Sequence, residues 1–405
     1  MRRRYGRIFV LSALVWAVFM VYTASLVPDD MYFMQNEPTE IKSLPMIELV
    51  PKSEGQSRAA SGGTQQLVYT AKLFGVLPVK TVNVSVTDQR MVLVAGTPFG
   101  VKMFSDGVMV VGFSDIETAT GNVCPAKSAG LQTGDVITKL GDTRVQSNTD
   151  VERYINRNGN SIVKVTFIRD GIELAVKLVP VKAESGGYRT GMWVRDSSAG
   201  VGTMTFCDVN KGLFAGLGHG IKDTDTQKDI PLLSGEIVAV KITGYTPSSN
   251  GEAGELKGSF MSEFPIGRVW ANSTNGVYGS IFSLPEGKLM TVASPSQVET
   301  GQATILTTID GTIPKEYDIV IEKISLTGTN QSKNMVIRVT DTELLEKTGG
   351  IVQGMSGSPI IQNGRLVGAV THVFINQVNR GYGVFAQNMV QSMDDAQRLY
   401  QSKAG

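Results

Sequence analysis

The chain has 405 residues, 41% of them hydrophobic and 19% charged, with 45 glycines. That balance excludes a disordered, solvating polypeptide and points to several ordered, β-rich domains with buried cores. A formal net charge of +1 removes any global electrostatic case for nucleic acid as a partner.

At the N-terminus, "MRRRYGR" precedes an uncharged run from Ile8 to Val27. Its length suits a helix crossing a bilayer. The arginines before it favour a cytoplasmic start, which puts residue 28 onward on the outer side. A cleaved signal peptide is the competing reading, although the run is long for a signal core and "YTAS" is a weak cleavage site. Residues 1–28 are therefore expected to be a membrane anchor or signal segment. Residues 29–66, rich in proline, serine, glycine and charge, read as a flexible tether. Alternation in "LVYTAKLFGVLPVKTVNVSV" predicts a β segment over 67–90.

Residues 91–185 read as a compact α+β unit. Strands "GVKMF" and "GVMVVGFS" lead into "CPAKSAGLQTGDVITKLGDTRV". Thr149-x-x-Glu152 reads as the capping box of a helix with Val151, Tyr154 and Ile155 on one face. Two further strands close the unit around an Asp-Gly turn. "SAGLQTGDVI" resembles the PDZ signature: a small-residue helical turn, then Gly-Asp opening a buried strand. The resemblance implies a peptide or protein terminus bound along a strand edge. The backbone loop receiving its carboxylate carries over to Gly96, Thr97, Pro98, Phe99, Gly100 and Val101.

Beyond the joint "AESGGYRTG", residues 186–405 form many short strands punctuated by glycine, as in a barrel or sandwich. The last stretch, "NMVQSMDDAQRLYQSK", has helical periodicity. Cys124 and Cys207 lack CxxC or Cys/His spacing, so a zinc site is not expected; one disulfide between them stays open, since their separation neither requires nor forbids it.

Two stretches carry chemistry. In "GMSGSP", glycines let the chain turn so that the N–H groups of Gly354 and Ser356 can address one oxyanion, with Ser356 at the nucleophile position. By itself the motif could equally be a turn before Pro359. The base must be one of two histidines, His219 or His372. His219, in "GLGHGI", ends an apolar strand between small neighbours and can face a cleft. His372, within the strand "GAVTHVF", reads as core or cleft wall.

Taken with the upstream PDZ unit and anchor, "GLGHGI", "VTD" and "GIVQGMSGSPIIQNG" followed by "VGAVTHVF" closely resemble the stage IV sporulation protein B peptidases of endospore-forming bacteria. The resemblance implies a multidomain, mainly β protein: a transmembrane helix, an α+β PDZ domain and a chymotrypsin-like double β-barrel. It implies a serine endopeptidase needing no metal or cofactor, secreted from the forespore toward the space facing the mother cell. It further implies self-cleavage, and cleavage of a regulatory membrane protein in a sigma-factor-processing complex. The family motif places the triad acid at Asp341, with Asp318 and Asp223 as challengers, because Asp341 lies closer to Ser356 than is usual for the clan. A catalytically silent PDZ-bearing scaffold of the envelope is the alternative function.

Overall fold

The computed structural model describes residues 2–35, 37–52, 58–59, 65–223, 225–228, 232–327 and 332–404. Helix α1 (Arg2–Leu26) contains the window Phe9–Leu26, whose mean hydropathy of 2.0 and near-complete exposure make it long and apolar enough to cross a membrane. It runs directly into folded chain. Thr23 and Val27 are buried, and the Val27 carbonyl accepts from Lys80 Nζ at 2.9 Å.

The first sheet holds β1 (Asp30–Met34), β2 (Ile47–Pro51), β3 (Gln65–Leu73) and β4 (Leu77–Thr87) in the order β1-β4-β3-β2, with β1 parallel to β4. Met31, Phe33, Ile41, Ile47 and Leu49 bury there against Tyr69, Leu73, Val82 and Val84. The expected tether over 29–66 is thus corrected for its first half. Apolar residues in "MYFM" and "MIELV" supply enough buried area to order it. Buried Glu37 also pairs with Arg365 at 2.6 Å and accepts from Ser294 at 2.9 Å. Most of the tether's second half lies outside the described residues.

Next come β5 (Met91–Val94) and the sixteen-residue β6 (Pro98–Phe113). The distal part of β6 belongs to the PDZ unit, with β7 (Val136–Leu140), α2 (Asn148–Asn158), β8 (Val163–Arg169) and β9 (Ile172–Leu178). Val108, Val110, Ile137, Val151, Ile155, Val165 and Phe167 form its core. The α2 cap differs from expectation. Ser147 adopts the extended conformation and exchanges hydrogen bonds with Asp150, the same motif two residues before Thr149-x-x-Glu152.

The proximal part of β6 is a stave of another unit. With β10 (Met192–Asp208), β11 (Leu213–Gly216), β12 (Leu232–Thr246), β13 (Glu255–Ser273) and β14 (Gly276–Ile281), it runs β6-β12-β13-β14-β11-β10, and β10 pairs back onto β6. This closes a six-stranded barrel. A second closed barrel contains β15 (Gly301–Thr307), β16 (Lys315–Ile324), β17 (Met335–Val339), β18 (Pro359–Gln362), β19 (Arg365–Phe374) and β20 (Gln377–Phe385). Its order is β15-β16-β17-β20-β19-β18, with the short helix α3 (Thr342–Thr348) after β17. Helix α4 (Ala386–Ala404) seats Met389, Val390 and Met393 on residues of both barrels, including Leu213, Tyr278, Ala369 and Val384. The molecule is multidomain and mainly β.

This topology corrects two expectations. The unit expected over 91–185 starts inside the first barrel, because β5 and residues 98–104 pair with strands from beyond residue 191. Residues Gly96–Val101 therefore do not form an open carboxylate loop. Gly100 and Val101 are paired on both sides, and Phe99 and Val101 are buried in the barrel core. The physical reason is that Phe99 and Val101 share a strand face whose partners come from far downstream. Cys124 and Cys207 are both free and buried.

Candidate active site

Strand β11 delivers His219. Past Gly216 the chain turns through Leu217 (φ 68°) and Gly218 (φ 67°). A Cβ on Gly218 would stand 3.0 Å from the Thr371 methyl, so the turn packs directly on β19. His219 Nδ1 lies 2.8 Å from the Gly220 carbonyl. A carbonyl only accepts, so Nδ1 carries the proton and Nε2 keeps its lone pair, the form a general base needs. Burial pushes the His219 pKa below its ordinary value; the Gly220 bond opposes this, and nearby Lys222 adds to it.

The Ser356 loop leaves the second barrel just before β18. Gly357 (φ 93°) tolerates no side chain: a Cβ would fall 2.0 Å from the Thr203 carbonyl oxygen and 2.5 Å from the Leu217 nitrogen. Successive carbonyls are all engaged. Gly354 accepts from Thr203 Oγ1 (2.9 Å), Met355 from Ser358 N (2.9 Å), Ser356 from Thr203 N (2.9 Å) and Gly357 from Thr205 Oγ1 (2.7 Å). The N–H groups of Met355, Gly357 and Ser358 also donate within the fold. Those of Gly354 and Ser356 have no acceptor among the described residues. Two unpaired donors at alternate positions beside a serine are what an oxyanion requires.

Ser356 Oγ donates to the Thr371 carbonyl at 2.7 Å. The next residue, His372, lies against His219 with ring centroids 4.7 Å apart. The structure therefore brings Ser356 and His219 onto the same short segment of β19. Burial, then His219, Lys333 and Lys222, lower the His372 pKa to about 4, and its Nδ1 is buried with no partner among the described residues.

The three aspartates lie elsewhere. Asp341 is the N-cap of α3, accepting from Leu344 N at 2.9 Å. Asp318 is exposed, its carbonyl accepting from Thr340 N and Asp341 N. Asp223 is buried, paired with Arg195 at 2.6 Å, and accepts from the Asp225 and Thr226 N–H groups. Burial would raise its pKa, but the Thr226 and Arg195 bonds together bring it below the ordinary value. Among the described residues, none of the three carboxylates bonds His219.

A separate groove of about 610 Å³ lies between α2 and the start of β10, lined by Val151, Ile155 and Asn156 on one side and Tyr188, Met192 and Trp193 on the other. Among the described residues, Met192–Arg195 pair only with β6, on one edge. Gly191 (φ 79°) leads into that edge, and Trp193 is exposed.

A model of the SpoIVB peptidase S55 family matches residues 186–390, a span holding both His219 and Ser356. The chain belongs to the SpoIVB peptidase S55 family. A PDZ model matches residues 99–179. The serine protease Do-like HtrA of Lactococcus lactis subsp. lactis (strain IL1403) is 58% identical over 48 residues, which is 12% of either chain. Among solved structures, the PDZ domain of the SdrC-like protein from Listeria monocytogenes aligns over 22% of this chain and 87% of its own, with 20% identity and TM-score 0.18. The HtrA-type protease AlgW with decapeptide aligns over 54% and 58%, with 11% identity and TM-score 0.29.

Thr203, Thr205 and the Gly220 carbonyl of this SpoIVB-family chain also belong to the site, and the two threonines lie in no recognised motif. The signal for the threonines is "GTMTF": two hydroxyls on one face of an otherwise apolar strand, which must find acceptors if buried. No side-chain pattern signals the carbonyl.

Proposed function

We propose that this SpoIVB-family protein is a membrane-anchored serine endopeptidase working outside the cytoplasm. Ser356 is the nucleophile, His219 the general base, and the Gly354 and Ser356 N–H groups the oxyanion hole. The observation that carries the reading is the pair of unpaired N–H groups beside Ser356 in a loop whose other polar backbone groups are engaged. On substrate entry the Ser356 hydroxyl turns from the Thr371 carbonyl to His219 Nε2, since such bonds commonly form only in the complex. Ser356 Oγ attacks the peptide carbonyl carbon and its proton passes to Nε2. The tetrahedral oxyanion sits on the two N–H groups. His219 then protonates the leaving amine, and water hydrolyses the acyl-enzyme with His219 again as base.

In this proposal the Gly220 carbonyl holds the His219 tautomer. Asp341, which the family resemblance puts in that place, accepts from Leu344 N as the cap of α3. The groove between α2 and Met192–Arg195 is the PDZ site in this reading, where an extended peptide adds to the open strand edge. The resemblance also supports a role in sporulation, cleaving itself and a regulatory membrane protein in the space between forespore and mother cell, with α1 as the anchor.

The test is labelling of the full chain in detergent with a fluorophosphonate. One adduct is expected on wild type and none on Ser356→Ala. No labelling of either form sinks the proposal and leaves the catalytically silent scaffold, whereas equal labelling of both refutes Ser356 as the nucleophile.

A further inference from the structure

The Ser356 and His219 segments come from different barrels, so something must fix their separation. Among the described residues, the one bonded to both is Thr203, on β10. Its N–H donates to the Ser356 carbonyl and its Oγ1 to the Gly354 carbonyl, both at 2.9 Å, while its own carbonyl accepts from Leu217 N at 3.2 Å. Leu217 is two residues from His219, and Thr203 is almost fully buried.

Resting on the reading of Ser356 given above, we infer that Thr203 is a positioning residue for the oxyanion hole and the Ser–His spacing. The peptide unit between Gly354 and Met355 joins the two units that carry the oxyanion donors, so rotation about the Gly354 Cα–C bond would change the angle between the two N–H groups. Gly354 stands at φ 97° without a Cβ and offers little steric resistance to that rotation. The Thr203 hydroxyl restrains the carbonyl end of this peptide unit, beside the 3.2 Å bond from Met355 N to the Val352 carbonyl at its amide end. Its backbone bonds to Ser356 and Leu217 form with any residue at 203, but the hydroxyl bond does not, which makes the hydroxyl separable by mutation. Thr205, bonded to the Gly357 carbonyl, anchors the far side of the loop without touching the peptide between the donors.

The test measures fluorophosphonate labelling rates of the full chain across pH for wild type, Thr203→Val, Thr203→Ser and Ser356→Ala, beside thermal unfolding midpoints. Valine keeps the shape and removes the hydroxyl. Thr203→Val should label about 10- to 100-fold slower, less than the about 10²–10³-fold cost of deleting an oxyanion donor outright. Its pH inflection should stay in place, because the Leu217 bond that places His219 is backbone. Thr203→Ser should recover to within about threefold of wild type, since it restores the one interaction removed. A wild-type rate in Thr203→Val, or equal losses in the valine and serine variants, overturns the inference. A thermal midpoint far below wild type marks a valine form that merely unfolds; the serine form then decides, and a loss there beyond about threefold overturns the inference. Labelling that survives Ser356→Ala refutes the nucleophile itself, an outcome separate from any failure of Thr203.

Discussion

The imidazoles of His219 and His372 face each other with centroids 4.7 Å apart and planes 35° from parallel. Only His219 has an acceptor on Nδ1; the same atom of His372 is buried with no partner among the described residues. The two rings are thus chemically unequal, although both lie near Ser356. His219→Ala should cut fluorophosphonate labelling by about 10³-fold or more, as loss of a triad base does. His372→Phe keeps a ring against His219 and should stay within about tenfold of wild type, or about 1.4 kcal/mol of barrier. The reverse ranking would make His372 the base.

The pH profile should carry the mark of burial. His219 is held below the ordinary histidine value, so the neutral base persists into more acidic solution. The acid limb of the labelling rate is expected below pH ~6.5. Lys222→Ala removes a cation that opposes the imidazolium, and should move this limb to higher pH. For His372 the folded pKa of about 4 lies below its ordinary 6.5. Below pH 6.5 the unfolded chain takes up a proton that the folded chain does not, so stability present above that value is lost toward pH 4. Thermal midpoints of His372→Phe should fall less steeply across this window than those of wild type.

Asp341 offers a clean separation of two roles. Asparagine caps a helix as well as aspartate does but carries no charge. Asp341→Asn should therefore keep both α3 and the labelling rate, whereas Asp341→Ala should cost about 1 kcal/mol of stability through the lost cap. A fall of about 10⁴-fold in the asparagine form, the scale seen when a triad acid is neutralised, would give Asp341 the acid's place and displace the Gly220 carbonyl from it.

Arg195 joins β10 to the segment after His219 by pairing with buried Asp223 and with Asp225, each at 2.6 Å. Removing the guanidinium strands a carboxylate in the interior, so Arg195→Ala should destabilise by about 3 kcal/mol. Adding Asp223→Asn should restore part of that loss, because the buried charge goes too. Chemical denaturation of the single and double variants reads the difference. A double variant no more stable than Arg195→Ala would mean that the carboxylate is not a buried liability.

Local patterns made much of the molecule legible. Alternation announced the strands, and "SAGLQTGDVI" and "GLGHGI" with "GMSGSP" announced the two functional units. What stayed hidden is non-local. Pairing of Pro98–Phe104 with residues about 90 to 140 positions later leaves no trace in the segment itself, so Gly96–Val101 read as a loop when Phe99 was core. The buried strands β1 and β2 were obscured for a different reason. Their few apolar residues are diluted by proline and charge, and only the partners Val82, Val84 and Tyr69 show which way they face. Backbone acceptors such as the Gly220 carbonyl are invisible in any sequence, since every residue has one.

The strand β6 enters the PDZ unit from one barrel stave and β10 returns from it as the neighbouring stave. The PDZ unit is therefore an insertion within a closed ring, and the boundaries of the two family matches are not places where the molecule comes apart. Residues 186–405 expressed alone would lack the β6 stave and leave a barrel with two raw edges, prone to pair with other chains. A protease nick inside the PDZ unit would leave both fragments stitched together by the β6–β10 ladder. The same reasoning holds ahead of the ring: β1 pairs with β4 and Glu37 with Arg365, so a single cut frees the folded body from α1 only where it falls ahead of β1.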